Sequence, residues 1–426
     1  MNFKLKNKSG ITLIALIITI IVMLILVGVV VTVVIQSNLL GTAKTAGDKY
    51  KTAYEDESNM SEVTINGEKY ASIEDYIEST KPLPEGAGKR AEKTKEYSDG
   101  TKTAWIPEGF TVSGIREETT IDGGLVIYLI PDDELENVKW DGTEKTKYDQ
   151  FVWIPISHEQ INNMFICQVK TGNNGNCNIT VENGVAKCTV HNSPQMAGRL
   201  YATSTGENGY KKKYTEVYTA NTKLREPDVV TASNTGDGTD YDGSSTYLGY
   251  MSTVTGDNTS YKNTAKFKET LQNDYNEIVA LIYNAKGYYV GRYETSNITT
   301  TKETAIKVIA GTNSGIASEN WYYMYAQQKV YAENKSLGNK VKSSMILGTC
   351  HDQMLEFVNV EGKYDITKAG NVEHNFSGNY NTGNQSTDMS KNIYDLEGNV
   401  CEWTTEAFLT YGRVYRGRQL RRQQFS

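Results

Sequence analysis

The sequence predicts an α+β protein in which a long apolar helix at the N-terminus precedes a polar region of mixed strands and helices. Two observations support this fold class. The segment Ile11–Ile35 contains no charged residue, and the rest of the chain alternates short strand-like runs with amphipathic helical stretches. With 426 residues, the chain is long enough for more than one domain and for a sizeable core.

The apolar run is long enough to cross a membrane as a helix. At about 1.5 Å per residue it would extend about 37 Å, and the hydrocarbon core of a bilayer is about 30 Å thick. Lys4, Lys6 and Lys8 precede the run, and such positive charges keep an N-terminus in the cytoplasm. We therefore expect a single-pass protein of the cell membrane whose C-terminal region is extracellular. A buried core helix is the alternative.

The residues at the start of the apolar run resemble a known processing signal. Ser9-Gly10 is followed by Ile11-Thr12-Leu13-Ile14-Ala15-Leu16, which opens the uncharged apolar run. This order resembles the class III signal of type IV pilins and type II secretion pseudopilins. The resemblance implies that a prepilin peptidase cleaves after Gly10 and methylates Ile11, and that other pilins are partners in a pilus or pseudopilus. Ala15 stands where that family usually has Glu, which leaves polymerisation open. An uncleaved signal anchor is the alternative.

The predicted N-terminal organisation has three parts. Residues 1–10 form the leader, and residues 11–61 form the membrane helix and a stalk helix, because apolar residues continue at spacings of three and four. Residues 62–80 are predicted to form a hairpin turning at Asn66-Gly67, followed by a short helix over Ser72–Ser79.

A linker and a head are expected to follow. Residues 81–103 contain two prolines, several glycines and many charges, a composition typical of linkers. The head, 104–426, has no basic stripe, and the whole chain has a net charge of −7, so nucleic acid is not expected as a partner. The 29 tyrosines and abundant asparagines favour a hydrogen-bonding binding surface. A turn-rich surface protein without such a role has the same composition.

Several head segments, taken together and in order, resemble one family. Phe151–Ile156 and Gly287–Glu294 are predicted to be buried strands, a helical stretch contains Trp321, and Ser343–Asp352 and Asn392–Thr404 follow. They resemble the sulfatase-modifying-factor family, which implies the formylglycine-generating-enzyme type of C-type lectin fold with a long insertion. The residues matching the family's motifs are Gly291, Arg292, Tyr293, Glu294, Gly398 and Trp403.

The C-terminal sequence departs from that family. Its enzymes oxidise a substrate cysteine with a cysteine pair beyond an Arg-Gly-Gly-Ser strand, but here no cysteine follows Cys401. We therefore expect no oxidase activity and no enzyme. If residues 418–426 are encoded by one particular choice of codons, deleting the first base shifts the reading frame and restores that strand after Arg416-Gly417. We hypothesise a one-base insertion, and a divergent basic tail is the alternative.

The predicted insertion, about residues 157–265, contains a cluster of potential metal ligands. Cys167, Cys177, Cys188 and His191 could provide a tetrahedral zinc set of three thiolates and one imidazole. A disulfide with a third free cysteine is the ordinary outcome in an extracellular location. A third alternative is neither arrangement.

The geometry of this cluster depends on a predicted hairpin. Asn183-Gly184 indicates a two-residue turn in which Ile179 opposes Cys188. Cys177 would then lie one diagonal step away, which is marginal for a disulfide. The later insertion, Gly206–Ser260, is predicted to form long loops, because it is rich in polar and small residues.

Two further expectations concern the core and a second metal. A helix of about Lys266–Ala285 is predicted to bury one apolar face. The resemblance implies that structural calcium could lie at Asn399, the Val400 carbonyl and Glu402, whose oxygens suit this ion. The alternative is that these side chains bond only to nearby backbone. No cofactor is required by either expectation.

Together these features predict a non-enzymatic display or adhesion protein, anchored in the membrane or pilin-like, whose lectin-fold head binds an unknown surface ligand. A diversified receptor, of the kind varied by diversity-generating retroelements, is the alternative that this resemblance also implies.

Overall fold

The protein is described by a computed structural model, and it divides into two compact units, Met1–Pro82 and Leu83–Ser426. The described residues are 49, 63–168, 174–176, 179–188, 195–196, 199–206, 209–216, 245–296, 306–311, 321–358, 381–383, 389–396, 402–408 and 412–416.

The fold-class prediction needs a correction. The described chain is α+β, with helices and antiparallel sheets, but none of its helices is both long enough and apolar enough to cross a membrane. The longest of them, Thr264–Ala285, has 22 residues and carries charges along one face. A long N-terminal transmembrane helix is therefore not supported as part of this fold. Residues 11–35, where it was expected, lie outside the described residues, as does the stalk up to residue 61 apart from Lys49.

The smaller unit contains the predicted hairpin and short helix. Asn66 and Gly67 both have positive φ, 53° and 88°, as a tight hairpin turn requires. Ser72 caps the helix, because its hydroxyl accepts a 3.0 Å hydrogen bond from the backbone N–H of Asp75. The elements are β1 (Val63–Ile65), β2 (Glu68–Tyr70) and α1 (Ile73–Thr80).

The larger unit contains the remaining described elements. The strands are β3 (Lys95–Ser98), β4 (Thr103–Ile106), β5 (Thr111–Val112), β6 (Val126–Leu129), β7 (Asp149–Pro155), β8 (Phe165–Gln168), β9 (Asn174–Asn176), β10 (Ile179–Glu182), β11 (Val185–Cys188), β12 (Gln195–Met196), β13 (Arg199–Gly206), β14 (Gly209–Glu216), β15 (Gly287–Gly291), β16 (Met389–Ser390), β17 (Ile393–Tyr394), β18 (Glu402–Phe408) and β19 (Gly412–Arg416). The α-helices are α2 (Ile121–Gly124), α3 (His158–Met164), α4 (Ser245–Thr255), α5 (Thr264–Ala285), α6 (Trp321–Lys329), α7 (Tyr331–Asn334) and α8 (Gly348–Val358). Three short 3₁₀ helices cover Arg116–Glu118, Leu135–Asn137 and Thr143–Thr146.

A four-stranded antiparallel sheet, in the order β15-β7-β6-β5, forms the centre of this unit. Both strands predicted from buried apolar runs, β7 and β15, are present, and Val152 of β7 pairs with both Val290 and Val126. Val152 and Ile154 are fully buried. Helix α5 is also confirmed, and it buries its predicted apolar face, including Phe267 and Val279.

The segment expected to be a linker contains regular structure instead. Strand β3 pairs with β4, and Ala91 and Tyr97 are buried. The hydroxyl of Tyr97 donates a 2.7 Å hydrogen bond to the carbonyl of Thr119. The high charge of residues 81–103 is typical of linkers, but successive residues of β3 point in opposite directions. Tyr97 is therefore buried while its neighbours Glu96 and Ser98 are exposed.

The insertion contains the predicted hairpin and an unpredicted helix. Strands β10 and β11 pair with Ile179 opposite Cys188, and the turn residue Asn183 has a φ of 52°. Part of the segment predicted as loops is the helix α4. Its buried residues are Leu248, Met251 and Val254, which recur every three residues.

Candidate ligand-binding surface

The motif Gly291-Arg292-Tyr293-Glu294 begins at the end of β15, and its arginine is buried in a polar network. A terminal nitrogen of Arg292 lies 2.6 Å from Oε1 of Glu118 and 3.0 Å from Oε1 of Gln150. The other carboxylate oxygen of Glu118 accepts a 2.7 Å hydrogen bond from the hydroxyl of Tyr128. Burial is the main cause that raises the pKa of Tyr128, so its hydroxyl stays protonated as a donor. Because the arginine is only 5% exposed and its charge is paired with Glu118, it belongs to the core and is not available to a ligand.

A second predicted motif lies against the first. Tyr394, from the segment Asn392–Thr404, stacks on Tyr293 with ring centroids 5.0 Å apart, and its backbone N–H donates to the carbonyl of Arg292 at 2.9 Å. Asp395 accepts hydrogen bonds from the Thr382 hydroxyl at 2.7 Å and from the Gly383 N–H at 2.9 Å. The structure therefore brings the two motifs together through backbone and aromatic contacts.

The other predicted site residues are only partly described. Cys167 lies in β8 and Cys188 ends β11, while Cys177 and His191 lie outside the described residues. Glu402 and Trp403 begin β18. The processing residues Gly10 and Ile11, and Gly398, Asn399 and Val400 of the calcium motif, are also outside. Within the described part of the chain, no group of three or more His, Cys, Asp and Glu side chains could hold a metal ion.

Cys350, on α8, is a buried free cysteine. Burial raises the pKa of its thiol, and Asp352 raises it further. A thiol in this environment stays protonated near neutral pH and is a poor nucleophile.

A surface of three tyrosines lies on α4 and α6. Tyr247 and Tyr250, on α4, and Tyr323, on α6, are each partly exposed. We call these three residues the tyrosine surface. Tyr247 and Tyr250 pack against the hydrophobic cluster that contains the buried residues of α4, so they lie at the edge of its buried side and are only partly exposed.

The rings of the tyrosine surface are in contact. The centroids of Tyr250 and Tyr323 are 3.9 Å apart, with planes inclined by 55°, and those of Tyr247 and Tyr323 are 6.2 Å apart. Tyr247 also lies 5.1 Å from the buried ring of Tyr322. The tyrosine surface is therefore continuous with the aromatic core beneath it.

Polar contacts fix this core and one of the exposed rings. The buried side chain of Gln327 donates from Nε2 to the hydroxyl of Tyr250 at 3.2 Å. Trp321 stacks on Tyr325 at 4.9 Å, with ring planes inclined by 11°, and its indole N–H donates to the carbonyl of Thr404 at 2.8 Å. Because the supporting side chains are held on several sides, the tyrosines above them have a preformed arrangement.

Gly249 leaves open space beside Tyr250. This glycine lies within α4 and is exposed, and a Cβ placed on it would meet no atom within 4 Å. Glycine inside a helix costs about 0.5–1 kcal/mol relative to alanine, and no contact within the described structure requires glycine here. Because residue 249 has no side chain, a ligand can approach the backbone of α4 closely beside the tyrosine rings.

The helix that carries two of these tyrosines has no charged residue. Its eleven residues are Ser, Thr, Tyr, Gly and aliphatic residues only. A surface of rings and hydroxyls without charges suits an uncharged partner that has both C–H faces and hydroxyl groups.

Sequence reasoning missed this surface because it assigned the segment to loops. The signal that could have identified it is the spacing of Leu248, Met251 and Val254, which indicates a helix and places Tyr247 and Tyr250 on adjacent positions of its surface.

Comparison with known proteins gives no relative. The chain matches no protein-family model, no curated protein and no solved structure. The resemblances to pilins and to sulfatase-modifying factors therefore stay predictions, and functional inference starts from the geometry of the described residues.

Proposed function

We propose that the protein is a non-enzymatic surface display protein whose larger unit binds a neutral glycan. The observation that carries this proposal is the tyrosine surface on the uncharged helix α4. Aromatic rings offer flat apolar area at low entropic cost, and their hydroxyls can bond to sugar hydroxyls. A charged ligand would find no opposite charge on this helix.

The arrangement of polar side chains supports a binding role over a catalytic one. Arg292 and Glu118 pair with each other in the core, and the thiol of Cys350 is buried. Catalytic groups need access to a substrate, and these three have little contact with solvent.

The N-terminal sequence supports a location at the cell membrane or in a pilus-like assembly, with the larger unit outside the cell. The proposed processing partner is a prepilin peptidase acting after Gly10. Mass spectrometry of the N-terminal peptide from the native host tests this part. A peptide that begins at methylated Ile11 supports processing, whereas one that begins at Met1 rejects it.

Glycan binding is tested with the full-length chain on an array of neutral and acidic glycans. We expect binding to neutral glycans, and we expect Tyr250→Ala or Tyr323→Ala to weaken it about tenfold, which corresponds to about 1.4 kcal/mol. Tyr76→Ala is the matched control, because Tyr76 is also partly exposed and contacts another tyrosine, Tyr70, in the smaller unit.

A second variant separates lost binding from lost folding. In Gly249→Leu the Cβ meets no atom within 4 Å and leucine favours the helix over glycine, so the variant should block a ligand beside Tyr250 while the unfolding midpoint is unchanged or higher. If Gly249→Leu and both tyrosine variants bind every glycan as the native chain does, the tyrosine surface is not the binding site.

A further inference from the structure

A buried amide joins the two helices that carry the tyrosine surface. Gln327 of α6 is only 1% exposed, and its Nε2 donates a 3.2 Å hydrogen bond to the hydroxyl of Tyr250 on α4. Its neighbours Tyr325, Ala326 and Val330 all belong to the aromatic and aliphatic core to which both helices contribute. Burying an amide costs free energy unless it is hydrogen-bonded, and an apolar side chain at this position would avoid that cost. The amide therefore points to a role other than packing.

The ring of Tyr250 is held at two points. It lies against the ring of Tyr323, with centroids 3.9 Å apart, and its hydroxyl, at the far end of the side chain, accepts the hydrogen bond from Gln327. A partly exposed tyrosine without the second contact could turn about its side-chain bonds and leave the pair. The hydrogen bond therefore selects the ring orientation that places Tyr250 beside Tyr323.

A pair of rings that is ordered before the ligand arrives favours binding. Each side chain that becomes immobile only on association lowers the affinity, because its conformational entropy is lost at that step. In the native chain, folding has already removed this freedom, since the burial of Gln327 fixes the donor that holds Tyr250. Without the amide, the ligand itself would have to order the Tyr250 ring.

We infer that Gln327 is a positioning residue for glycan binding: it does not touch the ligand, but it holds the Tyr250 ring in the orientation that the ligand uses. This inference rests on the proposed function, because it concerns the same surface. Loss of the amide reduces the fraction of molecules in which the ring is correctly placed. The apparent affinity falls by that fraction, so every glycan that uses the surface should be weakened by the same factor.

The test uses the full-length chain in detergent on the array of neutral and acidic glycans. The dependence of binding on protein concentration gives an apparent dissociation constant for each neutral glycan. Gln327→Met keeps the length of the side chain and removes the amide, and we expect it to weaken every bound neutral glycan by one common factor of about three to ten, the effect of losing one hydrogen bond. Gln328→Met, at the next and partly exposed position of α6, is the matched control and should leave these constants unchanged.

A double-mutant cycle separates positioning from a general effect on the fold. Tyr250→Phe keeps the ring and removes the hydroxyl, so it should weaken binding at least as much as Gln327→Met does. In the Tyr250→Phe background, the amide has no hydroxyl left to hold, and Gln327→Met should have no further effect on the dissociation constants. A residue needed only for folding would weaken binding by the same factor in both backgrounds.

The outcomes distinguish this inference from the proposed function. If Tyr250→Ala weakens glycan binding but Gln327→Met or Tyr250→Phe binds as the native chain does, the inference is overturned and the proposed function stands. Equal effects of Gln327→Met in the two backgrounds also overturn the inference. Tyr250→Phe decides alone if circular dichroism shows that Gln327→Met does not fold. If the native chain binds no neutral glycan, the proposed function fails and the inference fails with it.

Discussion

Removing the buried carboxylate of Glu118 should be among the most destabilising single changes in the larger unit. The Glu118 and Arg292 side chains are 7% and 6% exposed, and their charged atoms are 2.6 Å apart. In Glu118→Ala, Arg292 keeps its charge in a site with little water, and the hydroxyls of Tyr128 and Ser113 lose their acceptor. Breaking one side of a buried ion pair costs about 3–5 kcal/mol, and we expect a loss in the free energy of unfolding within this range.

Removing both charges should restore part of that stability. In the double variant Glu118→Leu/Arg292→Met, no uncompensated charge remains in the core, and a buried pair replaced by apolar residues of similar size is often close to neutral. The comparison of single and double variants then gives the coupling between the two side chains.

Urea unfolding, followed by tryptophan fluorescence, measures these effects. The ion pair Lys266–Glu269 is the matched control, since its atoms are 2.7 Å apart but its side chains are 51% and 58% exposed. Glu269→Ala should cost about 0–1 kcal/mol. If Glu118→Ala costs no more than Glu269→Ala, or if the double variant is no more stable than Glu118→Ala, an unpaired buried charge on Arg292 is not the cause of the destabilisation.

Two further predictions concern backbone space and pH. Gly348→Ala should destabilise the protein by about 1–3 kcal/mol, because the new methyl group would overlap the buried Glu406 carboxylate. Gly249→Ala, where a Cβ meets no atom, should instead stabilise it by about 0.5–1 kcal/mol. Equal effects of the two substitutions on urea unfolding would reject this distinction. For Asp274, burial is the largest single cause and raises the pKa, but Lys329, Lys342 and the Tyr325 hydroxyl together outweigh it and leave the pKa below its usual value. The Asp274 carboxylate should therefore stabilise the fold above its unfolded pKa of about 3.9, and this contribution should be lost as the pH falls through the lower folded pKa. The difference in unfolding midpoint between the native chain and Asp274→Asn should then shrink on acidification. A difference that stays constant with pH would contradict this prediction.

The parts of the fold that sequence predicts well are those determined by local patterns. The turn at Asn66-Gly67 follows from residues that tolerate positive φ. The helix Thr264–Ala285 follows from apolar residues at spacings of three and four, and β7 from a continuous apolar run. In each case, the pattern of neighbouring residues is enough to predict the element, and the predicted helices and strands together indicate the α+β class.

The candidate sites could not be predicted because they depend on distant contacts. Gln327 and Tyr250, which are bonded at the tyrosine surface, are 77 residues apart in sequence. The hairpin turn of Lys391 and Asn392 is likewise held by a hydrogen bond from the Asn392 side chain to the carbonyl of Gly124, 268 residues earlier. Strand β3 was missed for a related reason, since the burial of Tyr97 is decided by its partner strand and not by the charged composition around it.

The pairing of β7 with β15 allows the length of the segment between them to change at little cost in stability. The two central strands meet in antiparallel register from Pro155 opposite Gly287 to Phe151 opposite Gly291, and everything from α3 to α5 is enclosed by that one pairing. The entropic cost of closing a long loop grows only logarithmically, so doubling its length costs about 0.6 kcal/mol. Lineages could therefore lengthen or shorten the connections between the elements of this enclosed segment while the central sheet and the helices packed in the core persist. For the same reason, the segment is the natural place to graft a foreign epitope or reporter, at the expense of slower folding, because the strands that must meet are far apart along the chain.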